Sequence, residues 1–149
     1  MRQVFGEYPI LDFLPKLQQA LPSSKIVLKN INVNCKSVRL QLFANRDCEC
    51  VCCGKRADKF VLEKLNPDDI LPHLNMYGRR DNGTLLLFTK DHILPRSLSG
   101  SNALFNMQIM CADCNSKKSY KIQLWDIVAI AKQLIKGQAS IKRLLLSRR

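Results

Sequence analysis

Asp91 and His92 stand side by side in the stretch "TKDHILPRSLSG", residues 89–100. Histidine is the side chain whose ordinary pKa, about 6.5, suits a general base at neutral pH. Asp91 and the later Asn115 supply a carboxylate and an amide oxygen, hard ligands of the kind magnesium accepts. Mg²⁺ commonly takes one or two protein ligands and completes its shell with water and substrate phosphate. Base, metal and phosphate would then meet where a strand ends. Taken alone, the Asp-His pair describes equally well a strand running into a surface turn. Neighbours on a regular strand point to opposite faces. The pair can therefore serve one phosphate only where the chain twists or leaves the sheet, and Pro95 and Gly100 suggest that it leaves.

A second group of chemistry-bearing residues is the seven cysteines, Cys35, Cys48, Cys50, Cys52, Cys53, Cys111 and Cys114. An odd number without a secretion signal argues against a disulfide framework and for metal. Zinc takes four soft ligands at tetrahedral corners, and a C-x-x-C pair reaches two adjacent corners from one tight turn. Cys50 and Cys53 form one such pair, closed by Gly54, and Cys111 and Cys114 form the other. Cys48 and Cys52 are close enough to compete for the same ion, whereas Cys35 reads as a small buried apolar residue. Four thiolates leave no open position for water, so this zinc is expected to be structural. It would staple the start of a helix to a distant part of the chain and hold Asn115, which directly follows Cys114, rigidly in place.

The elements that must position these groups read as α+β. "PILDFLPKLQQAL" suggests a short helix interrupted near Pro15, "IVLKNINVN" a strand and "CKSVRLQLFANRD" a helix. An Asn82-Gly83 pair between apolar runs signals a hairpin, with one strand through about 73–78 and the next through 84–92. "NMQIM" reads as a short strand, and "CADCNSKKS" as a knuckle opening a helix. The tail from Tyr120 is helical, with Leu124, Ile127, Val128, Ala131, Leu134 and Ile135 forming one apolar stripe.

The 149 residues carry 24 Lys/Arg against 12 Asp/Glu, a formal charge of +12. The excess sits at the ends: +4 over residues 1–47, +2 over 48–120 and +6 over 121–149. Such a distribution suits a polyanionic partner, with nucleic acid the commonest, and a middle that keeps its carboxylates for chemistry. The expected organisation is a basic, DNA-contacting N-terminal region (1–47), a core (48–120) and a basic amphipathic helix (121–149). Apolar runs such as "LLLF" fall far short of the roughly 20 residues needed to span a bilayer. No signal-peptide pattern opens the chain, so a soluble protein of the cytoplasm is expected.

The pattern "DHILPRS", a glycine, Asn106, then "MCADCN" ending in Asn115 and followed by Lys117 and Lys118 resembles the HNH endonuclease family. The "CxxCG" knuckle and the "HLNMYG" and "TKDHI" stretches bring the resemblance closest to small free-standing HNH proteins of bacteriophages. It covers roughly residues 50–119. It implies a ββα-metal, treble-clef-like core in which His92 is the general base and Asp91 and Asn115 hold Mg²⁺ or Mn²⁺. It also implies that Asn106 braces the loop that aims His92. Candidate contacts to DNA, expected to be double-stranded, are Lys117, Lys118, Arg96 and the hairpin-tip pair Arg79 and Arg80. Ser99 departs from the family, which has a second glycine there, and Asn115 stands where many members have His. One active site per chain suits nicking by a monomer or weak homodimer. The alternatives are a zinc-containing DNA-binding module without catalysis, or a protein-interaction module docking through the C-terminal helix and residues Leu144–Leu146.

Overall fold

A computed structural model describes residues 2–66 and 68–146, from 137 onward by backbone alone. The side chains of Leu144–Leu146 therefore lie outside the described residues. Among the described residues, seven strands and four α-helices are arranged around one antiparallel sheet of five strands. The elements in chain order are β1 (Gln3–Pro9), α1 (Ile10–Ala20), β2 (Lys25–Leu28), β3 (Ile31–Asn34) and α2 (Val38–Asn45). There follow β4 (Ala57–Lys64), β5 (His73–Arg79), β6 (Leu85–His92), β7 (Met107–Cys111), α3 (Ala112–Lys118) and α4 (Leu124–Leu146). The fold is α+β, as expected, and β6, β7 and α3 form its ββα unit.

The sheet order is β1-β4-β5-β6-β7. Phe60 and Leu62 of β4, Leu74 and Met76 of β5, and Leu86 and Phe88 of β6 point to one face. There they meet Phe13 and Leu17 of α1 and Leu42 and Phe43 of α2. Residues 1–47 thus share the core of the strands that follow. Full burial of a Phe or Leu side chain contributes about 1.5–3 kcal/mol, so these four residues tie the N-terminal third of the chain to the sheet. The opposite face, reached by alternate residues such as Thr89 and Asp91, carries α3.

Several local expectations are corrected. Pro15 does not interrupt α1, which runs through it; the acceptor that Pro15 leaves without a helical partner belongs to Leu11, which is 90% exposed and open to water. "IVLKNINVN" is not one strand but the hairpin β2–β3, turned through Lys29 and Asn30, both at positive φ (50° and 62°). Strands β1 and β4 carry no strong sequence signal, yet they pair along their length. In α4 the apolar stripe faces outward: Leu124, Leu134 and Ile135 are at least 65% exposed. Asp126 is the fully buried residue of that helix's first turn.

Candidate active site and metal centre

Four of the seven sulfurs come together. The Sγ atoms of Cys50, Cys53, Cys111 and Cys114 all lie within 4.8 Å of one another, with Cys53 and Cys111 at 3.9 Å. The first knuckle turns at Gly54, whose φ of +70° is costly for any residue with a Cβ. The Gly54 N–H donates to Cys50 O at 2.9 Å. Val51 N–H donates to Ile109 O at 3.1 Å, hooking the knuckle onto β7. Burial opposes ionisation of Cys50, but the backbone N–H groups of Cys111, Cys53 and Cys52 outweigh it and hold this thiol below its ordinary pKa. Four sulfurs this close together fit a divalent, thiophilic ion such as zinc, which binds them as thiolates.

Cys48 and Cys52 are not part of the cluster. The Cys48 Sγ instead donates to Phe43 O at 3.8 Å. Burial, and then Asp47, push its thiol up to about 11. Its sulfur faces a carbonyl and lies outside the four-sulfur group. Cys35 is buried, as expected, at 1% exposure.

On β6, Thr89 and Asp91 share the face that α3 covers. Asn115, in the helix opened by the second cysteine pair, donates its Nδ2 to Thr89 Oγ1 at 2.9 Å. The hydroxyl's single proton goes to Met110 O at 3.1 Å, so Thr89 can only accept from Asn115, and the amide must present its NH₂ there. The carbonyl oxygen of Asn115 is thereby left for another partner. Asp91 accepts at Oδ2 from Lys118 Nζ (2.5 Å) and Gln108 Nε2 (2.8 Å). Among the described residues, Asp91 Oδ1 takes no hydrogen bond. Two uncommitted hard oxygens on one face are a donor set that fits a hard divalent cation.

Contrary to the expectation drawn from Pro95 and Gly100, the chain does not leave the sheet between Asp91 and His92. His92 still pairs with Met107, and the departure begins after it. The His92 imidazole Nε2 lies 2.9 Å from Asn102 Oδ1 in the loop. Asn106 stands where the brace is expected, buried at 6% exposure. Its side chain accepts from Leu94 N–H (2.9 Å) and donates to Leu94 O (3.0 Å) and Ser101 O (2.9 Å). Gly100 has no room for a side chain, since a Cβ would fall 1.8 Å from Leu94 O. Ser99, the departure from the resembled pattern, adopts φ +63°, which explains why glycine is usual at that position.

The candidate DNA contacts divide. Lys117 and Arg96 are exposed. Arg79 is 59% exposed at its side chain. Arg80 is engaged: its Nε and Nη2 each donate to Asp113 at 2.7 Å, tying the hairpin tip to α3. Through those bonds the guanidinium holds Asp113 below the usual carboxylate range. Lys118 is corrected outright as a surface contact. It is 2% exposed, and its ammonium bonds Asp91, His92 O and Asp126. His73 is exposed at the start of β5.

Sequence reasoning passes over Thr89, Asn102, Gln108 and Asp126. The available signal for Asp126 is that it is the single acid among residues 121–149, which carry seven Lys/Arg. Gln108 is the one polar side chain within the apolar run of β7. Among the described residues no helix is long and apolar enough to cross a membrane.

No curated protein and no solved structure matches the chain. Residues 81–124 match the family model described as HNH endonuclease. That segment runs from the hairpin tip through β6, the loop, β7 and α3, and holds Asp91, His92, Asn106 and Asn115. Over this segment, which contains the ββα unit and the second cysteine pair, the chain is similar to the HNH endonuclease family.

Proposed function

We propose that this protein is a metal-dependent endonuclease that hydrolyses DNA phosphodiester bonds, with His92 as general base. The observation that carries this reading is the pair of uncommitted oxygens, on Asp91 and Asn115, that face the same side of β6 one residue before His92. An Mg²⁺ or Mn²⁺ ion bound there would polarise the scissile phosphate and stabilise the departing 3′ oxygen. Asp91 and Asn115 would hold that ion. Asn102 accepts the proton on His92 Nε2, which leaves Nδ1 with the lone pair that takes a proton from the attacking water. Asn106 keeps the loop that carries Asn102 closed against Leu94, so the imidazole is held by a braced partner.

The four cysteines would hold a structural zinc that fixes the start of α3 and with it Asn115. Exposed Arg96, Lys117 and Arg79 would grip backbone phosphates without reading sequence. The basic N-terminal region and C-terminal helix would extend the contact to double-stranded DNA. One site per chain suits nicking by a monomer or weak homodimer. The charge and motif pattern fit a small free-standing protein of the bacteriophage type acting in the cytoplasm.

The test is incubation of supercoiled, linear and single-stranded DNA with the protein in Mg²⁺, in Mn²⁺ and in EDTA, beside His92→Ala. Divalent-dependent relaxation of plasmid that disappears in the variant is expected. Plasmid that stays supercoiled in every condition would remove catalysis and leave a DNA-binding zinc module.

A further inference from the structure

The ammonium of Lys118 lies between two carboxylates, Asp91 at 2.5 Å and Asp126 at 3.0 Å. All three side chains are withdrawn from water, with exposures of 1%, 9% and 0%. The donor account closes. The three N–H groups of Lys118 go to Asp91 Oδ2, Asp126 Oδ1 and His92 O. The Gln108 amide donates to Asp91 Oδ2 (2.8 Å) and Asp126 Oδ1 (2.6 Å). Asp126 Oδ2 accepts from Gln123 N–H at 2.7 Å, capping α4. Asp91 Oδ1 is the one carboxylate oxygen of the group with no partner among the described residues.

A lysine in contact with a metal ligand is an electrostatic difficulty. Asp91 and Lys118 alone sum to zero formal charge, and a divalent cation gains little by approaching a neutral pair that already has its own cation. Asp126 brings the trio to −1 and takes one of the ammonium's three hydrogen bonds. Asp126 itself lies just beyond the matched segment, residues 81–124.

We infer that Asp126 is a positioning residue for the candidate metal ligand Asp91. It offsets Lys118, so that Lys118 and Gln108 can lock Asp91 Oδ2 while Oδ1 keeps its attraction for a divalent cation. The inference rests on the proposed reading of Asp91 as a metal ligand. It makes the first turn of α4 part of the site and explains why a single acid lies buried in the most basic part of the chain.

The experiment is an Mn²⁺ titration of the zinc-loaded full-length protein, followed by electron paramagnetic resonance, with thermal melts to check folding. Asp126→Asn keeps the shape but returns the group to zero charge, and it is expected to weaken Mn²⁺ binding by on the order of tenfold or more. The double variant Asp126→Asn with Lys118→Met restores −1 and is expected to bind within about threefold of the wild type. A merely structural role would make the double variant worse than the single one. Binding unchanged in Asp126→Asn, or a double variant no better than the single, would overturn the inference. Should Asp126→Asn not fold, Lys118→Met alone leaves −2 and must bind Mn²⁺ more tightly than the wild type; equal or weaker binding overturns the inference as well. Asp91→Asn separates the two levels. If it leaves Mn²⁺ binding intact, the metal-ligand reading falls and this inference with it. If it abolishes binding while Asp126→Asn does not weaken it, only the inference falls.

Discussion

The side chain of Asn106 bonds both the N–H and the C=O of Leu94, at 2.9 and 3.0 Å, and so closes the loop that follows His92 onto its own beginning. A third bond, to Ser101 O, holds the far side. Asn106→Ala would leave these backbone groups without partners in a buried site. A loss of about 2–3 kcal/mol is expected, read as a lower melting temperature. DNA cleavage is expected to fall with it, because the loop also carries Asn102. A variant as stable as the wild type would show that the brace is dispensable.

Asn102 offers a separate handle on His92. With its acceptor in place the imidazole is expected as the Nε2–H tautomer, visible in the ¹⁵N shifts of the ring. Asn102→Ala should mix the tautomers and lower kcat with little change in KM, since no contact to DNA is removed. A ring spectrum identical to that of the wild type would count against this arrangement.

Ser99 occupies the left-handed region at φ +63°. Ser99→Gly relieves that strain and is expected to stabilise the protein by up to about 1 kcal/mol, measured by thermal or urea unfolding. Gly100→Ala is its opposite. The added carbon would meet Leu94 O at 1.8 Å, so the loop must open, and cleavage should be lost before the fold is.

The cysteines make a selective prediction. Cys53→Ser or Cys111→Ser should release the bound metal and lower the melting temperature, as a chelator should. Cys48→Ala should keep the full metal content, because its sulfur faces Phe43 O and stands outside the four-sulfur group. Loss of metal in the Cys48 variant would reassign the ligand set.

A fragment beginning at Cys48 is expected not to fold. It would lack Phe13, Leu17, Leu42 and Phe43 from the core and would expose the edge of β4 that β1 covers. It would also lack Arg2, which pairs with the fully buried Glu63. Dispersed amide resonances from residues 48–149 would contradict this.

What the sequence discloses follows from how local each signal is. The strand, loop, strand and helix around Asp91 and Asn115 are legible because turn residues, cysteine spacing and short apolar runs lie within one stretch. Strand β1 is not, because "QVFGEYP" contains a glycine at a bulge between Val4 and Gly6 and ends in proline. The β2–β3 hairpin escapes notice because Lys29 and Asn30 make its tight turn without a glycine. The orientation of α4 runs against its own apolar periodicity, because the bonds of Asp126 to Lys118, Gln108 and Gln123 set which side of its first turn faces inward. The fate of Lys118 is illegible for a similar reason. One turn into a helix and beside another lysine it looks solvated, and only the buried acid from α4 shows otherwise.

Helix α3 has seven residues, too few to persist alone in water. The cysteine cluster grips its first turn and the Lys118 bonds grip its last. Such a helix fails when either grip does. On heating, or as zinc is withdrawn, the hard-ion site should therefore come apart in an early, local step while the five-stranded sheet still stands. The proposed nuclease activity would then disappear at a lower temperature than the far-UV circular dichroism signal, and the gap between the two curves would measure how much of the site's stability a metal on the cysteines supplies.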